Sequence, residues 1–439
     1  MKILLLLLAF AFVLMYMYKV WKLNPCIVFL GSLFFVEIIW EFISIIWIDT
    51  GTYISEQVRY SYFTGASIRY CVLIMPVVIL YPLLLNKSIK NRRLAKSVSI
   101  KFSNRHNKLK IEMLLYIISL FVIFYLFFDL LVSKKIPLFY GINYSKYFNN
   151  YSKMPLSNTL YEYFLPFISV YFGVLTGDKE SKSKSFIIYV SSFLLILILQ
   201  VLLNNKFYGI YDFVLQFLLG YYISNQKFNH NKKIPYKYLA FCIIGVLILL
   251  VICYLKYMRT ESNPFQYLLD RIFSLQSHTF WGIDKLRIEG KLNVELKDYI
   301  KELLSGLKSI GSVSILDPDY GIARVMYFVT LDTFAYDMIS TGYLFSGSYL
   351  TINLSYMNYF FTFITSILLS LILVKSSSAL YWSIITRNYL MLYFNFWLFK
   401  RLFEYFRVGN YSMILNWKFL LIYFIFIILY LYRVTNKDN

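Results

Sequence analysis

The sequence is poor in charged residues: Asp, Glu, Lys and Arg together make up 15% of its 439 residues. Hydrophobic residues make up 59% and aromatic residues 21%. A soluble domain of this length needs less apolar surface, whereas repeated crossings of a bilayer need this much. The composition therefore excludes an ordinary soluble protein and predicts an all-α, polytopic integral membrane protein.

Cysteine is also scarce, and no two cysteines have the spacing of a disulfide framework or a zinc site. The four are Cys26, Cys71, Cys242 and Cys253. The sequence contains no HExxH motif and no phosphate-binding glycine loop, so we predict neither a metal nor a cofactor. Asp317 and Asp319 form one DxD-like pair that could hold a divalent cation, but Pro318 between them favours a turn.

Eleven apolar windows are long enough to cross roughly 30 Å of hydrocarbon. They fall at about 3–20, 25–47, 68–86, 111–132, 159–177, 186–204, 207–224, 239–256, 350–374, 379–398 and 412–432. The N-terminal window has no small-x-small cleavage site, so we expect a retained first span rather than a signal peptide. The sequence thus predicts about 11 transmembrane helices.

The basic residues predict the orientation of these helices. Residues 86–110 contain nine Lys/Arg and no Asp/Glu, which is typical of a cytoplasmic loop. Because successive spans cross the membrane in alternating directions, this loop predicts that residues 133–158, 204–212 and 400–410 lie together on the opposite, extracytoplasmic side of the membrane. The net charge of +21 is therefore interpreted as a topology signal, and no nucleic-acid partner is predicted.

A long polar segment interrupts the apolar windows and divides the chain into three parts. Residues 1–255 hold spans one to eight, residues 256–349 form one large extracytoplasmic loop domain, and residues 350–439 hold spans nine to eleven. Within the loop, apolar residues recur at helical spacing and predict an amphipathic helix on the membrane surface or over the bundle. They are Leu296, Ile300, Leu303, Leu304 and Leu307.

The start of this loop carries two candidate catalytic residues. In residues 270–284 (DRIFSLQSHTFWGID), Arg271 could bind a diphosphate bidentately and His278 could act as a general base on a sugar hydroxyl. Trp281 would pack against a sugar ring. The alternatives are an interfacial arginine that pairs with a lipid headgroup or with Asp270, and a structural histidine.

Four further residues are candidate substrate ligands. Arg324 and Tyr320 lie beside a glycine turn. The Arg324 guanidinium and the Tyr320 hydroxyl could bind the same diphosphate as Arg271. The alternative is that these residues form a surface turn before a helix. Lys206, in NNKF, is either a phosphate ligand or a lysine that snorkels to the interface. Arg259 is a similar interface candidate.

Four segments resemble the oligosaccharide repeat-unit polymerases (O-antigen polymerases) of bacterial surface-polysaccharide pathways. They are KKIPLFYGINYSKYFNNY at 134–151, LLNNKFYGIYDFVLQFLL at 202–219, DRIFSLQSHTFWGID at 270–284 and YGIARVMYFVTLDTFAYDMISTGYLFSGSYLTINLSY at 320–356. Their order, together with one large extracytoplasmic loop in a bundle of about eleven spans, is more specific than any single motif.

The resemblance implies a metal-independent glycosyltransferase of GT-C-like architecture in the bacterial inner membrane, with the large loop in the periplasm. Such enzymes transfer a glycan from undecaprenyl diphosphate to a new lipid-linked repeat unit, and a partner protein regulates chain length. Arg271, Lys206 and Arg324 would bind the diphosphate and His278 would deprotonate the acceptor. The family often has an arginine near Lys146, and lysine cannot reproduce its bidentate contacts.

Three other functions remain open at this stage. A ligase that moves finished polysaccharide to lipid A also has a large outer loop. A flippase for lipid-linked oligosaccharides would need paired half-bundles and short loops, and the sequence has neither internal repeats nor matched broken spans. A sensor or scaffold without chemistry would tolerate substitution of Arg271.

Overall fold

The computed structural model describes residues 2–90, 105–177, 183–205, 207–225, 264–292, 296–308, 318–340, 344–417, 419–421, 423–424 and 428. Several sequence-based predictions lie wholly or partly outside these residues. They are the eighth span at 239–256, part of the eleventh span, residues 91–104 of the basic loop, Asp317, and the candidate ligands Lys206 and Arg259.

The described residues form a helical protein with one small antiparallel hairpin. In chain order the elements are α1 (Lys2–Leu23), α2 (Pro25–Leu30), α3 (Ser32–Asp49), β1 (Tyr53–Ile54), β2 (Arg59–Tyr60), α4 (Ala66–Lys90), α5 (Arg105–Ser133), α6 (Pro137–Tyr140), α7 (Tyr144–Asn150), α8 (Ser157–Thr159), α9 (Leu165–Thr176), α10 (Ser183–Leu202), α11 (Phe207–Asn225), α12 (Pro264–Leu269), α13 (His278–Ile288), α14 (Leu296–Lys308), α15 (Gly321–Val329), α16 (Asp332–Ser340), α17 (Tyr349–Tyr356), α18 (Tyr359–Thr386) and α19 (Tyr389–Val408). Short 3-10 or π-helical turns occupy Ser55–Gln57, Leu160–Phe164, Asp270–Ser274 and Tyr411–Met413.

Among the described residues, five helices are long and apolar enough to cross a membrane. They are Leu4–Leu23, Ala66–Lys90, Ile111–Ser133, Ser185–Leu202 and Tyr359–Thr386. The prediction of a helical membrane protein is therefore confirmed at this level. The full set of eleven spans stays a prediction.

The structure differs from the predicted windows at the ninth and tenth spans. One helix, α18, runs from the middle of window 350–374 into window 379–398, and α19 follows after two residues. The side chain of Asn358 accepts a hydrogen bond from Phe361 N and begins α18, whereas Arg387 adopts a left-handed conformation (φ 52°) and ends it. Average hydropathy contains no information on such caps, which is why the predicted limits are shifted.

Helices α9 and α11 pack against each other unusually closely. A Cβ atom on Gly173 would lie 2.1 Å from Phe217 O, and one on Gly220 would lie 2.2 Å from Val170 O. With Gly177 one turn after Gly173, this is the small-residue interface that lets helix backbones approach in membranes. All twelve residues of α9 are buried, so this helix lies in the interior of the bundle.

The described parts of the large loop fold as short helices against the outer ends of α3 and α4. Trp40 Nε1 donates to Ile272 O (2.6 Å) and Ser44 Oγ donates to Phe273 O (2.6 Å). Gln57 Nε2, in the turn after β1, donates to His278 O (2.7 Å). These contacts to backbone carbonyls fix residues 270–284 onto the bundle.

Candidate functional site

The most charged described stretch of the bundle interior is the last part of α19. Arg401 Nη1 lies 2.7 Å from Glu404 Oε2, and Lys400 Nζ lies 3.8 Å from Glu404 Oε1. Helical spacing places Arg407 one turn beyond Glu404, on the face shared with Lys400. The side chains of Lys400 and Arg401 are only 17% and 26% exposed. Two cations thus contact one carboxylate in a partly enclosed place, and a third cation follows on the same face of the helix.

Aromatic rings lie beside these cations. The Arg401 guanidinium lies 5.9 Å from the ring centre of Tyr163 and 5.7 Å from that of Trp397, and Lys400 Nζ lies 5.1 Å from Trp397. The two rings are themselves 5.2 Å apart. Cation–π contacts hold the charged groups in place, and adjacent rings of this kind pack well against the C–H faces of sugars.

The outer end of α19 is held tightly against α17. The helix ends at Gly409, whose φ of +81° suits glycine. A Cβ atom there would lie 2.6 Å from Ser348 O. This close contact fixes the position of the last helical turn, and with it the position of Arg407.

Two of the segments predicted on the outer face meet this end of α19. In α7, Tyr144 lies 5.5 Å from Tyr161 between ring centres. Burial raises the pKa of the Tyr144 hydroxyl, Glu162 raises it further, and Arg407 opposes the shift. The loop at 133–158 and the end of α19 therefore share one electrostatic environment.

The segment at 204–212 joins the same place. Asn205 Nδ2 donates to Tyr161 OH (3.0 Å) and to Gln200 Oε1 (2.8 Å). Asn204 Nδ2 donates to Ile142 O (3.1 Å), which connects this segment to the loop before α7. Two connections that are far apart in the sequence, 133–158 and 204–212, are thus linked by a direct hydrogen bond, and Tyr161 joins them.

Asp212 of α11 belongs to the same group of side chains as the cations at the end of α19. Gln216 Nε2 donates to its Oδ2 (2.9 Å), and Lys400 and Arg407 act on it electrostatically. Within the ranges that the structure describes, its Oδ1 is buried without a hydrogen-bond partner. Buried carboxylate oxygens are normally paired, so this atom is available to a donor such as a substrate hydroxyl. We call Lys400, Arg401, Glu404, Arg407, Asp212, Tyr163 and Trp397 the α19 cluster.

His278 and Trp281 lie elsewhere, in the contact between the large loop and the turn after α3. His278 is fully buried; its Nδ1 lies 3.1 Å from Leu275 O and its Nε2 lies 3.0 Å from Glu56 Oε2. Trp281 is also fully buried, with its ring 5.7 Å from Tyr62. A backbone carbonyl and a carboxylate thus lie next to the two ring nitrogens of His278. The catalytic role of His278 stays a prediction.

A bidentate ion pair stabilises the same contact. Arg69 Nε and Nη2 donate to the two carboxylate oxygens of Asp284 at 2.8 and 2.5 Å, and Tyr359 OH donates to Asp284 Oδ1 at 2.9 Å. The Asp284 side chain is fully buried, whereas that of Arg69 is 28% exposed. Arg69 and Asp284 lie 215 positions apart in the sequence, so no local spacing predicts this pair.

The remaining candidate cations lie in separate surroundings. Arg271 is exposed on the turn 270–274. Arg324 in α15 lies 4.3 Å from the ring centre of Tyr356 and 4.0 Å from Asp298 Oδ2, and Tyr320 directly precedes this helix. Lys146 is exposed on α7, the helix that carries Tyr144. The structure therefore brings the helix of Lys146 to the α19 cluster, while Arg324 belongs to a different group of side chains.

The sequence contained a signal for the α19 cluster that the search for motifs missed. KRLFEYFR places cations at positions 400, 401 and 407 and an acid at 404, which is the spacing of one helix face. The segment was interpreted only as a connector between spans. A helical projection of every connector with its flanking residues would have identified the cluster.

Comparisons with known proteins identify no function. Residues 317–423 match the model of a family described as a family of unknown function (DUF6418). This match includes Arg324 and the part of the α19 cluster that lies in α19 itself, but covers less than half of the chain. No curated protein and no solved structure matches.

Proposed function

We propose that this protein is a glycosyltransferase that polymerises undecaprenyl-diphosphate-linked oligosaccharide repeat units. The observation that carries the proposal is the α19 cluster, in which three cations and two aromatic rings lie where three connections of one face converge. A diphosphate needs cations, and a sugar needs ring faces and hydroxyl acceptors. The resemblance of residues 134–151 and 202–219 to the polymerases falls on two of these three connections.

Arg401 and Lys400 of the α19 cluster have donors left for a ligand. A guanidinium has five N–H donors, and Arg401 uses Nη1 on Glu404. An ammonium has three donors, and Lys400 has one carboxylate at 3.8 Å. Arg401 would bind phosphate oxygens through its free edge while Glu404 holds the guanidinium in orientation. Lys206, Arg259, Arg271, Arg324 and Lys146 remain predicted ligands from the sequence.

The reaction balances without a further co-reactant. A hydroxyl oxygen of the acceptor sugar forms a bond to the anomeric carbon of the donor, and the bond from that carbon to the diphosphate oxygen breaks. The diphosphate leaves with the electron pair, and the cations stabilise its charge. We assign the hydroxyl proton to Asp212 Oδ1, which lies beside the same cations. The resemblance implies His278 as the base instead, and that role stays a prediction.

The finer features of the architecture belong to this proposal. They are about eleven spans of GT-C-like arrangement, a bacterial inner membrane, a periplasmic large loop, and partners that comprise lipid-linked substrates and a chain-length regulator. The positive loop at 86–110 supports the orientation.

A flippase is less well supported, because two buried carboxylates that could line a transport path already accept hydrogen bonds. Asp129 accepts from Lys153 N (3.0 Å) and Met154 N (3.0 Å), as well as from two hydroxyls. Tyr70 OH donates to Glu41 (2.8 Å). Carboxylates with such donors stabilise loops and helix contacts rather than relay protons.

The test in cells uses a strain that lacks this protein and carries a plasmid copy. We expect the wild-type chain to restore a ladder of polysaccharide lengths, and Arg401→Ala to leave lipid A with a single repeat unit. A ligase defect would instead leave lipid A with no repeat unit. Lys291→Ala, at a lysine with a 66% exposed side chain, is the control. A normal ladder with Arg401→Ala at wild-type protein levels would refute the proposed site.

A further inference from the structure

Helix α14 turns its polar face inward and its apolar face outward. Glu302 and Ser305 are each 1% exposed, although acids and serines usually face solvent. Ile300, Leu304 and Leu307, at helical spacing on the opposite face, are 45%, 42% and 43% exposed. The predicted amphipathic helix is present; Leu303 packs against the core, whereas Ile300, Leu304 and Leu307 face outward.

Specific contacts fix this rotation of the helix. Glu302 Oε2 accepts from Gly321 N and from Tyr356 OH, both at 3.0 Å. Tyr299 OH lies 3.3 Å from Tyr411 OH. Turning the apolar stripe inward would break these hydrogen bonds and leave Gly321 N without its acceptor. The outward direction of the stripe is therefore a property of the fold.

The neighbours of α14 place it at the end of the membrane-spanning part. It contacts α17 and the turn Tyr411–Met413. The first lies directly before α18, which is long and apolar enough to span a membrane, and the second directly follows α19. At the start of α18, Phe360 and Phe361 are 66% and 55% exposed. An exposed apolar stripe at this level is adjacent to the boundary between hydrocarbon and water.

The charged residues of α14 indicate what its exposed apolar face contacts. Lys297 and Lys301, both exposed, lie along one edge of the stripe on the helical projection. An apolar stripe flanked by lysines is the pattern of helices that lie in the plane of a membrane surface and meet anionic headgroups. We infer that α14 is an interfacial helix: Ile300, Leu304 and Leu307 enter the membrane surface, and Lys297 and Lys301 bind anionic lipid headgroups.

The inference is independent of the catalytic proposal and is tested with spin labels on the full chain. The four native cysteines are replaced by serine, and a label is attached at Leu304→Cys or, as a repeat, at Ile300→Cys. The control label is at Lys291→Cys, an exposed site outside α14. Each protein is placed in nanodiscs of phosphatidylcholine alone or of phosphatidylcholine with phosphatidylglycerol. The measurement is the collision rate with oxygen, which prefers lipid, against that with a water-soluble nickel complex.

We expect the ratio of oxygen to nickel collisions to be several-fold higher at Leu304 and Ile300 than at Lys291, and higher in the anionic discs than in the neutral ones. Replacing Lys297 and Lys301 by glutamine should remove the difference between the two discs. Equal ratios at Leu304, Ile300 and Lys291 in both discs would overturn the inference. So would line broadening that disappears on dilution with unlabelled chain, since this would show that a second copy covers the face.

Discussion

At the scale of single residues, Arg401 carries the most specific chemistry of the α19 cluster. Its guanidinium pairs with Glu404 and faces the rings of Tyr163 and Trp397. Lysine at this position would keep the charge but lose the planar contacts with ring and phosphate. The identity of this residue, and not only its charge, therefore matters in the proposed reaction.

We predict that Arg401→Ala lowers the rate constant of polymerisation by about 100-fold or more, since loss of one donor to a developing charge has this effect. Arg401→Lys should recover only part of the loss. Polymerisation of a purified lipid-linked repeat unit by each variant checks this, with Lys291→Ala as a control that should match the wild type. Full recovery by lysine would contradict a bidentate role.

The pair of Arg69 and Asp284 supports a second prediction at this scale. Removal of one partner of a buried ion pair typically costs about 3 kcal/mol or more, because the other charge stays buried. Arg69→Met leaves the fully buried Asp284 carboxylate without its cation and should therefore lower the unfolding temperature in detergent, while the double change Arg69→Met with Asp284→Leu should recover much of the loss. If both variants unfolded at the wild-type temperature, the pair would have no stabilising role.

Some residues of the α19 cluster could be predicted from the sequence alone, and others could not. Residues of one helix, such as Lys400 and Glu404, are recoverable from spacing. Asp212 and the pair of Arg69 with Asp284 are not, because their partners lie in distant parts of the chain and depend on how helices pack. The predicted site cations in the large loop were chosen by residue type, which contains no information on whether they converge.

At the scale of elements, the contact between α9 and α11 depends on glycine. Because the Cβ of an alanine at Gly220 would meet backbone atoms of α9, the two helices would have to move apart. Overpacking of this kind typically costs about 1–3 kcal/mol. The same helices carry Asp212 and adjoin the turn with Tyr163, so their spacing also sets the width of the α19 cluster.

We therefore predict that Gly220→Ala lowers both the unfolding temperature and the polymerisation rate. The control is Gly290→Ala, where φ is also unusual (+67°) but a Cβ meets no atom within 4 Å. Its effect on stability should be limited to about 1–2 kcal/mol of backbone strain, with the polymerisation rate unchanged. Equal losses of activity in the two variants would argue against a role for close helix packing.

The docking of α14 should depend on pH through Glu302. Burial raises the pKa of this carboxyl, and the hydrogen bonds from Gly321 and Tyr356 lower it in part. A carboxyl whose pKa is raised on folding stabilises the fold most below its unfolded value, and this stabilisation is lost as pH rises through the folded value. Hydrogen exchange of α14 should therefore become faster with increasing pH beyond the intrinsic change, and Glu302→Gln should abolish this excess. An excess that persists in Glu302→Gln would show that another group titrates.

The sequence predicted where several helices lie, but it did not predict the residues at which some of them begin and end. Apolar windows located α1, α4, α5 and α10, since each is one continuous hydrophobic run. The windows missed the break at Gly31 between α2 and α3 and the true limits of α18 and α19. Caps and left-handed residues set these limits, and average hydropathy does not respond to either.

At the scale of the whole molecule, the direct hydrogen bonds among residues 133–158, 160–164 and 204–212 place these connections on one face. The end of α19 joins them through Tyr163 and Tyr144. At the opposite end of the helices, Arg387 Nη1 lies 3.8 Å from Glu112 Oε1. The orientation of these two ends across the membrane stays a prediction.

The predicted orientation has a direct test. A membrane-impermeant maleimide added to intact cells should label Lys146→Cys and Lys291→Cys, whereas Lys90→Cys should react only after permeabilisation. The reason is that basic connectors stay in the cytoplasm. A cysteine-free chain is the control for background, and labelling of Lys90→Cys in intact cells would reverse the orientation.

Polymerisation by the purified chain is the measurement that tests the central claim most directly. The protein is reconstituted in liposomes with a single lipid-linked repeat unit and no other protein, and the products are separated by size. We predict a ladder of products for the wild type and only the starting repeat unit for Arg401→Ala. Absence of a ladder with folded wild-type protein, or an unchanged ladder with Arg401→Ala, would contradict the claim that the α19 cluster performs this reaction.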